Sequence, residues 1–178
     1  ALSGGADSSA LACLADRYAV SRGKRHLAVI VDHAIRGNSA SEAERVKQRM
    51  TKRSVIAEIV RLDDFAPQAG IQEWARFHRF AALTQLARQN RGALLFAHHK
   101  GDQAETVLMR LIKGSGVAGL GGMRGRLWRD GVIVARPLLR WEGDDLRAVL
   151  IACDCDHEVD PSNQNRIFER VRLRQAIS

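Results

Sequence analysis

The sequence predicts an α/β fold, an open and mainly parallel sheet with helices on both faces. Two short apolar runs, 27–31 (LAVIV) and 93–97 (ALLFA), have the length and continuity of strands buried on both sides. Segments of helical periodicity separate such runs, the alternation that builds parallel βαβ units. A glycine- and serine-rich turn, Ser3-Gly4-Gly5-Ala6-Asp7-Ser8-Ser9, runs straight into the first helical pattern. A helix start offers unpaired N–H groups and the positive end of its dipole, which suits an anion.

In that turn, Gly4 and Gly5 let the backbone approach an anion without an intervening Cβ. Ser3, Ser8 and Ser9 can donate hydroxyl hydrogen bonds, Ala6 lies within the same loop, and Asp7 can hold a magnesium ion. The loop lacks the Gly-Lys-Ser/Thr of a Walker A motif. A capped helix start with a flexible turn is the plainer alternative. Behind it, Leu11, Leu14 and Tyr18 recur at helical spacing, with Ala10 and Cys13 beside them. A buried strand is expected ahead of such a loop, and only Ala1 and Leu2 stand there. The expectation is therefore of a chain whose natural start is trimmed.

The run 27–31 ends in Asp32-His33-Ala34-Ile35-Arg36-Gly37. Polar residues past the carboxyl end of a strand are where open α/β sheets take ligands, so Asp32 and His33 are expected at a nucleotide. A turn former and a surface histidine are the alternatives. Ser39 and Ser41, each followed three residues later by Glu42 and Glu44, can form a capping box at the start of a helix reaching about residue 53. Its basic residues make a solvated or RNA-facing side. Residues 55–60 read as a second strand. Residues 71–89 read as a long helix with Ile71, Trp74, His78, Ala82 and Leu86 along one side and Gly92 closing it.

The run 93–97 delivers His98-His99-Lys100-Gly101-Asp102-Gln103-Ala104-Glu105-Thr106. Asp102 and Glu105 share a helix face near its start, where acids also serve as plain caps. Histidines, acids and an amide together past a strand make a candidate site. Arg110 and Lys113 end that helix, and Gly114-Ser115-Gly116-Val117-Ala118-Gly119-Leu120-Gly121-Gly122 has five glycines in nine residues. Such a loop is flexible or hugs a ligand. Arg124, Arg126 and Arg129 follow it and suit phosphate. Residues 131–135 read as a strand and 141–151 as a helix. Asp160-Pro161-Ser162-Asn163 reads as a turn, and a basic–apolar tail contains Arg170 and Arg172.

With 178 residues, 46% hydrophobic and 27% charged, the composition is that of a globular domain. No apolar run approaches the roughly 20 residues that span a membrane, and no signal peptide is expected ahead of the loop. A cytoplasmic protein without a membrane partner is expected. The formal charge of +8 favours a polyanionic partner, nucleic acid first, although general solubility is also served by charge. Cys13, Cys153 and Cys155 cannot all pair, and the last two lack Cys-x-x-Cys spacing, so a reduced protein without a structural metal is expected.

The loop 3–8, then Val31-Asp32-His33-Ala34-Ile35-Arg36, then His98-His99-x-x-Asp102-Gln103-Ala104-Glu105-Thr106 resemble the catalytic domain of the tRNA(Ile)-lysidine synthases. Arg110-x-x-Lys113-Gly114-Ser115-Gly116 and Asp160-Pro161-Ser162-Asn163 extend the likeness over essentially the whole chain. The loop itself is that of the N-type ATP pyrophosphatases, which cleave ATP between the α and β phosphates. Their fold is adenine nucleotide α-hydrolase-like and Rossmann-like. Gly101 departs from the pattern, since the family often carries Asp there. The family's further C-terminal tRNA-binding domains are expected to be absent, leaving residues 1–178 as one catalytic domain.

The resemblance implies a ligase that uses ATP and Mg2+. It adenylates C2 of the wobble cytidine in tRNA(Ile) with a CAU anticodon, then lets the ε-amine of free L-lysine displace AMP. It implies Ser3, Gly4, Gly5, Ala6, Asp7, Ser8 and Ser9 at ATP with Asp32 and His33, and Asp7 at the metal. Asp102 and Glu105 would grip lysine and base, assisted by His98 or His99. Arg36, Arg110, Lys113, Gly114, Ser115, Arg170 and Arg172 would meet phosphate or RNA. A homodimer stays open. The alternatives are a tRNA cytidine thiolase, which the missing Cys-x-x-Cys disfavours, and a non-catalytic nucleotide- or RNA-binding module.

Overall fold

The computed structural model describes every residue except 36, 63–66, 68 and 158–178. The elements in chain order are α1 (Ala6–Ser21), β1 (Ala28–Asp32), α2 (Ser39–Thr51), β2 (Ala57–Arg61), α3 (Ile71–Gln89), β3 (Leu94–Leu95), α4 (Lys100–Ile112), α5 (Val117–Leu120), β4 (Arg126–Arg129), β5 (Val132–Ala135) and α6 (Gly143–Ala152). β1 and β2 run parallel, Ala28 opposite Ala57 through Asp32 opposite Arg61. β3 and β5 run parallel, and β4 closes on β5 as an antiparallel hairpin.

The first two residues join these two groups. Leu2 bridges Ile30 in parallel, its N–H donates to the Val29 carbonyl at 2.8 Å, and the Ala1 nitrogen donates to the Leu95 carbonyl at 2.8 Å. The strand order across the molecule is therefore β2, β1, residues 1–2, β3, β5, β4. The chain leaves residues 1–2 toward β1 and β2, then crosses back through α3 to β3. The loop after Leu2 thus opens at the reversal of strand order, the place where open α/β sheets bind ligands.

Alternation along β1 explains the two covered faces. Ala28 and Ile30 pack into a cluster with Leu2, Leu11, Val46, Met50, Leu146 and Leu150, so α1, α2 and α6 cover one face. Val29 and Val31 turn to Leu83, Leu94, Phe80 and Phe96, so α3 covers the other. A fully buried leucine such as Leu146 contributes about 1.5–3 kcal/mol through removal of apolar surface from water.

Four local expectations change. β4 was not expected, because Arg126 and Arg129 hide the strand alternation around Leu127 and Trp128. The run 93–97 pairs as a strand only at Leu94 and Leu95, with the Phe96 N–H adding a bond to the Ala135 carbonyl. Tyr18, at helical spacing with Leu11 and Leu14, is 63% exposed while Leu11 is buried. Neither serine box starts α2. Asn38 is its N-cap, with its Nδ2 donating to Glu42 Oε1 at 2.6 Å. α3 keeps the bounds expected of it.

Candidate active site

The loop is built by its own hydroxyls. Ser8 Oγ donates to the Gly5 carbonyl at 3.0 Å and accepts from the Ser3 N–H at 3.1 Å. Because that hydroxyl's single proton goes to Gly5, Ser3 Oγ is the donor in the 3.0 Å bond between the two serines. Ser8 and Ser9 are thereby buried, while Ser3 is exposed at the rim. Gly4 has φ +86, and a Cβ there would lie 2.6 Å from Val46 Cγ2. The turn thus requires glycine twice over, for its backbone angle and for its packing on α2. Gly5 is the N-cap of α1 without a side-chain cap bond. The first turn of α1 carries Asp7.

A second helix start meets the first. His99 is the N-cap of α4, and its Nδ1 accepts from the Gly101 N–H at 3.0 Å. Asp102 Oδ2 accepts from the His99 N–H at 3.0 Å, which completes a reciprocal capping box. With Nδ1 occupied as an acceptor, the neutral ring carries its proton on Nε2. That Nε2 lies 3.7 Å from Asp7 Oδ2 and 3.8 Å from Asp102 Oδ2. One imidazole therefore ties the acid of the glycine loop to the acid of the histidine segment, and the positive ends of α1 and α4 converge on it. Gly101 fits this ring: a Cβ there would stand 2.7 Å from His99 Cε1. Glu105, one turn on from Asp102, is buried.

The other expected residues separate into three groups. Asp32 is buried, and its Oδ1 accepts from the Ala34 N–H at 2.9 Å while Ala34 adopts φ 53. That bond forms the tight turn and uses one carboxylate oxygen, Oδ1. His33 stands beside it, held below the ordinary histidine range by burial and then by the Arg79 charge. His98 Nδ1 accepts from Arg136 Nε at 3.1 Å, which fixes His98 next to His99.

Arg110, Lys113, Gly114 and Ser115 lie at the far end of α4, roughly 18 Å along the helix from His99. Arg110 Nη1 donates to the Gly119 and Gly122 carbonyls at 2.7 and 2.9 Å. Gln103 both donates to the Met123 carbonyl and accepts from its N–H. These two side chains fold the glycine-rich loop into place, so Arg110 holds that loop rather than standing at the His99 cluster. Arg36, Arg170, Arg172 and the Asp160 turn lie outside the described residues. Arg136 was missed in the sequence, because a lone arginine after a strand carries no spacing signal.

The donors present fit a nucleoside triphosphate with magnesium. A magnesium ion takes one or two carboxylates and fills its remaining positions with phosphate oxygens and water, which Asp7 beside an α1 start can satisfy. Among the described residues no group of three or more His, Cys, Asp or Glu is arranged to hold a metal by itself. The three cysteines are free thiols. Cys13 and Cys155 are buried and Cys153 packs on the same cluster. Burial, then the neighbouring Cys155 and Cys153, push the Cys13 thiol up to about 12.

Residues 1–178 match the model of a family described as PP-loop domain. The chain is 44% identical over 177 residues to a tRNA(Ile)-lysidine synthase of Bradyrhizobium sp. strain BTAi1, covering 98% of this chain and 49% of that protein. It is 42% identical to the tRNA(Ile)-lysidine synthase of Rhodopseudomonas palustris, covering 99% of this chain and 52% of that one. It is 38% identical to that of Salinispora tropica, covering 99% and 54%. The chain thus spans about half the length of these relatives. Among solved structures, the U34-tRNA thiolase NcsA from Methanococcus maripaludis, with its 4Fe–4S cluster, superposes with a TM-score of 0.76. That match has 18% identity and covers 99% of this chain and 63% of that chain. At that identity the likeness speaks for the fold alone.

Proposed function

The chain belongs to the PP-loop domain family, and from that premise we propose that it ligates free L-lysine to C2 of the wobble cytidine of tRNA(Ile), consuming ATP and releasing AMP and pyrophosphate. The observation that carries the proposal is His99, whose Nε2 stands within 4 Å of carboxylates from both the glycine loop and the histidine segment, Asp7 at 3.7 Å and Asp102 at 3.8 Å. The relatives named as tRNA(Ile)-lysidine synthases support the same reading.

A pyrimidine carbonyl is a poor electrophile until its oxygen becomes a good leaving group. The backbone N–H groups at the start of α1, joined by Ser3 once its hydroxyl turns from Ser8 to the ligand, would hold the β and γ phosphates and turn the α-phosphorus toward the base. Asp7 would hold magnesium, which supplies charge neutralisation on the departing pyrophosphate. In the second step the lysine ammonium must lose a proton before it attacks C2. His99, with Nδ1 occupied and its proton on Nε2, is a donor in this arrangement. The proton acceptor is therefore a carboxylate, Asp102 or Glu105, and His99 positions Asp102 through the cap. Lys113, Arg36, Arg170 and Arg172 remain candidates for RNA phosphate. A cytoplasmic setting goes with a tRNA substrate. No helix of the described residues is long and apolar enough to cross a membrane.

The thiolase alternative places sulfur chemistry at cysteines. Here all three cysteines pack together beneath α1 and α6, and none belongs to the loop or the His99 cluster. The test is turnover with ATP, L-lysine and tRNA(Ile), following lysine-dependent AMP. Asp102→Asn and Glu105→Gln should each lower turnover by about 100-fold or more with ATP binding kept. Turnover unchanged in both would sink the assignment of these carboxylates, and no lysine-dependent AMP from the parent chain would favour a non-catalytic module.

A further inference from the structure

The face covered by α3 carries a cavity of about 630 Å³ that neither the loop nor the His99 cluster uses. It runs between α3 and the β4–β5 hairpin, from His98 and Arg136 at one end to Arg88 and Asp130 at the other. Measured along α3 from Glu73 to Arg88, that is roughly 22 Å. Five arginines line it against two carboxylates, Glu73 and Asp130. The floor is aromatic. Phe80 stacks near-parallel on Phe96 at 6.2 Å, and the Arg129 guanidinium lies 4.4 Å over the Phe80 ring. Phe77 lines the same cavity and is 69% exposed.

Thr84 adds an independent observation. The residue is only 4% exposed, lines the cavity, and its Oγ1 has no hydrogen-bond partner among the described residues. A buried hydroxyl without a partner costs free energy unless something polar meets it. Among the described lining residues the five guanidiniums outnumber the two carboxylates. Burial and then the neighbouring Arg76 hold Arg79 below its ordinary value, and burial with Arg76 and Arg129 does the same to Arg136.

We propose that this groove binds a single-stranded segment of the RNA substrate, with a base against Phe77 and phosphates on Arg129 and its neighbouring arginines. An elongated basic channel with aromatic platforms is how proteins hold single-stranded nucleic acid. The groove begins at His98, next to the residue that joins Asp7 and Asp102. A strand whose reacting base sits at the loop can therefore leave along α3 without crossing the protein. The proposal rests on the RNA-substrate reading above. An acidic peptide matches the charge but leaves the exposed Phe77 ring unexplained.

The test is binding of a fluorescein-labelled single-stranded ribo-oligonucleotide to the full chain, measured across salt concentrations without ATP or lysine. Arg129→Ala should weaken binding at least five-fold and reduce the slope of log affinity against log salt by about 0.7. Phe77→Ala should weaken binding about five-fold or more with the slope unchanged, because stacking releases no counterions. Thr84→Val, which removes the unpartnered hydroxyl at nearly constant shape, should raise the Tm slightly and lower affinity. Arg17→Ala, on the exposed side of α1, should change nothing. If the parent chain binds the oligonucleotide and all three groove variants bind it as tightly, the groove is wrong while the RNA reading stands. If the parent chain binds no RNA, both fall. Displacement of the RNA by a poly-glutamate peptide at equal charge concentration would also overturn the proposal.

Discussion

Gly4→Ala perturbs the loop at one atom. The residue sits at φ +86, where an L side chain is strained by about 1–3 kcal/mol. Its new methyl would lie 2.6 Å from Val46 Cγ2, a side chain only 4% exposed and therefore unable to swing into solvent. Forcing a methyl into such a contact costs about 1–3 kcal/mol more. Together the two effects predict a loss of about 2–6 kcal/mol, a large share of a domain's whole stability. They also predict a displaced loop with weakened ATP binding. Urea unfolding and ATP titration read the two consequences separately. Val46→Ala made in the same chain should recover the packing part and leave the backbone part. The double-mutant cycle should therefore show a favourable coupling of about 1–3 kcal/mol. A Gly4→Ala chain that unfolds at the parent urea midpoint and binds ATP normally would refute the argument, as would strict additivity with Val46→Ala.

Three further outcomes are expected. His33 is held below its ordinary value of 6.5 by burial and then Arg79, and His26 is lowered chiefly by burial. The unfolded chain then binds protons more readily, so this contribution is complete above about pH 6.5 and stability falls as the pH drops below it. Urea midpoints at about pH 5.5 and 7.5 should differ less in His33→Gln. Gly101→Asp should push the His99 ring off the Gly101 N–H, since a Cβ there meets Nδ1 at 3.2 Å. Loss of that cap, worth about 1 kcal/mol, should lower the Tm by about 2–4 °C in a calorimetric scan. Arg110→Met removes the bonds to Gly119 and Gly122. Limited proteolysis should then cut the segment 114–123 several-fold faster, with the rest of the chain unaffected.

Where the sequence carried local chemistry, the structure followed it. The turn into α1, the bounds of α3 and the buried run of β1 needed only glycine placement and periodicity to be read. What escaped depends on partners distant in sequence. Whether Tyr18 is core depends on what packs over that side of α1, and nothing in the spacing tells it from Leu11. The strand Arg126–Arg129 exists because β5 pairs with it, not because arginines favour strands. At the candidate site, the grouping of His99 with Asp102 was legible from spacing. Its contact with Asp7 was not, because that depends on where two helices begin in space. Arg110 reads as a phosphate or RNA contact by type, and only the folded loop shows that its Nη1 also holds the Gly119 and Gly122 carbonyls.

The proposed ligation needs ATP at the opening turn with its α-phosphorus presented to an RNA base. Turnover of ATP labelled separately at the α and γ phosphates, in the presence of tRNA(Ile) and L-lysine, tests it most directly. The account predicts label recovered as AMP and pyrophosphate, in step with lysine joined to the tRNA and dependent on both partners. Label recovered as ADP and inorganic phosphate, or AMP formed equally well without lysine and tRNA, would contradict it.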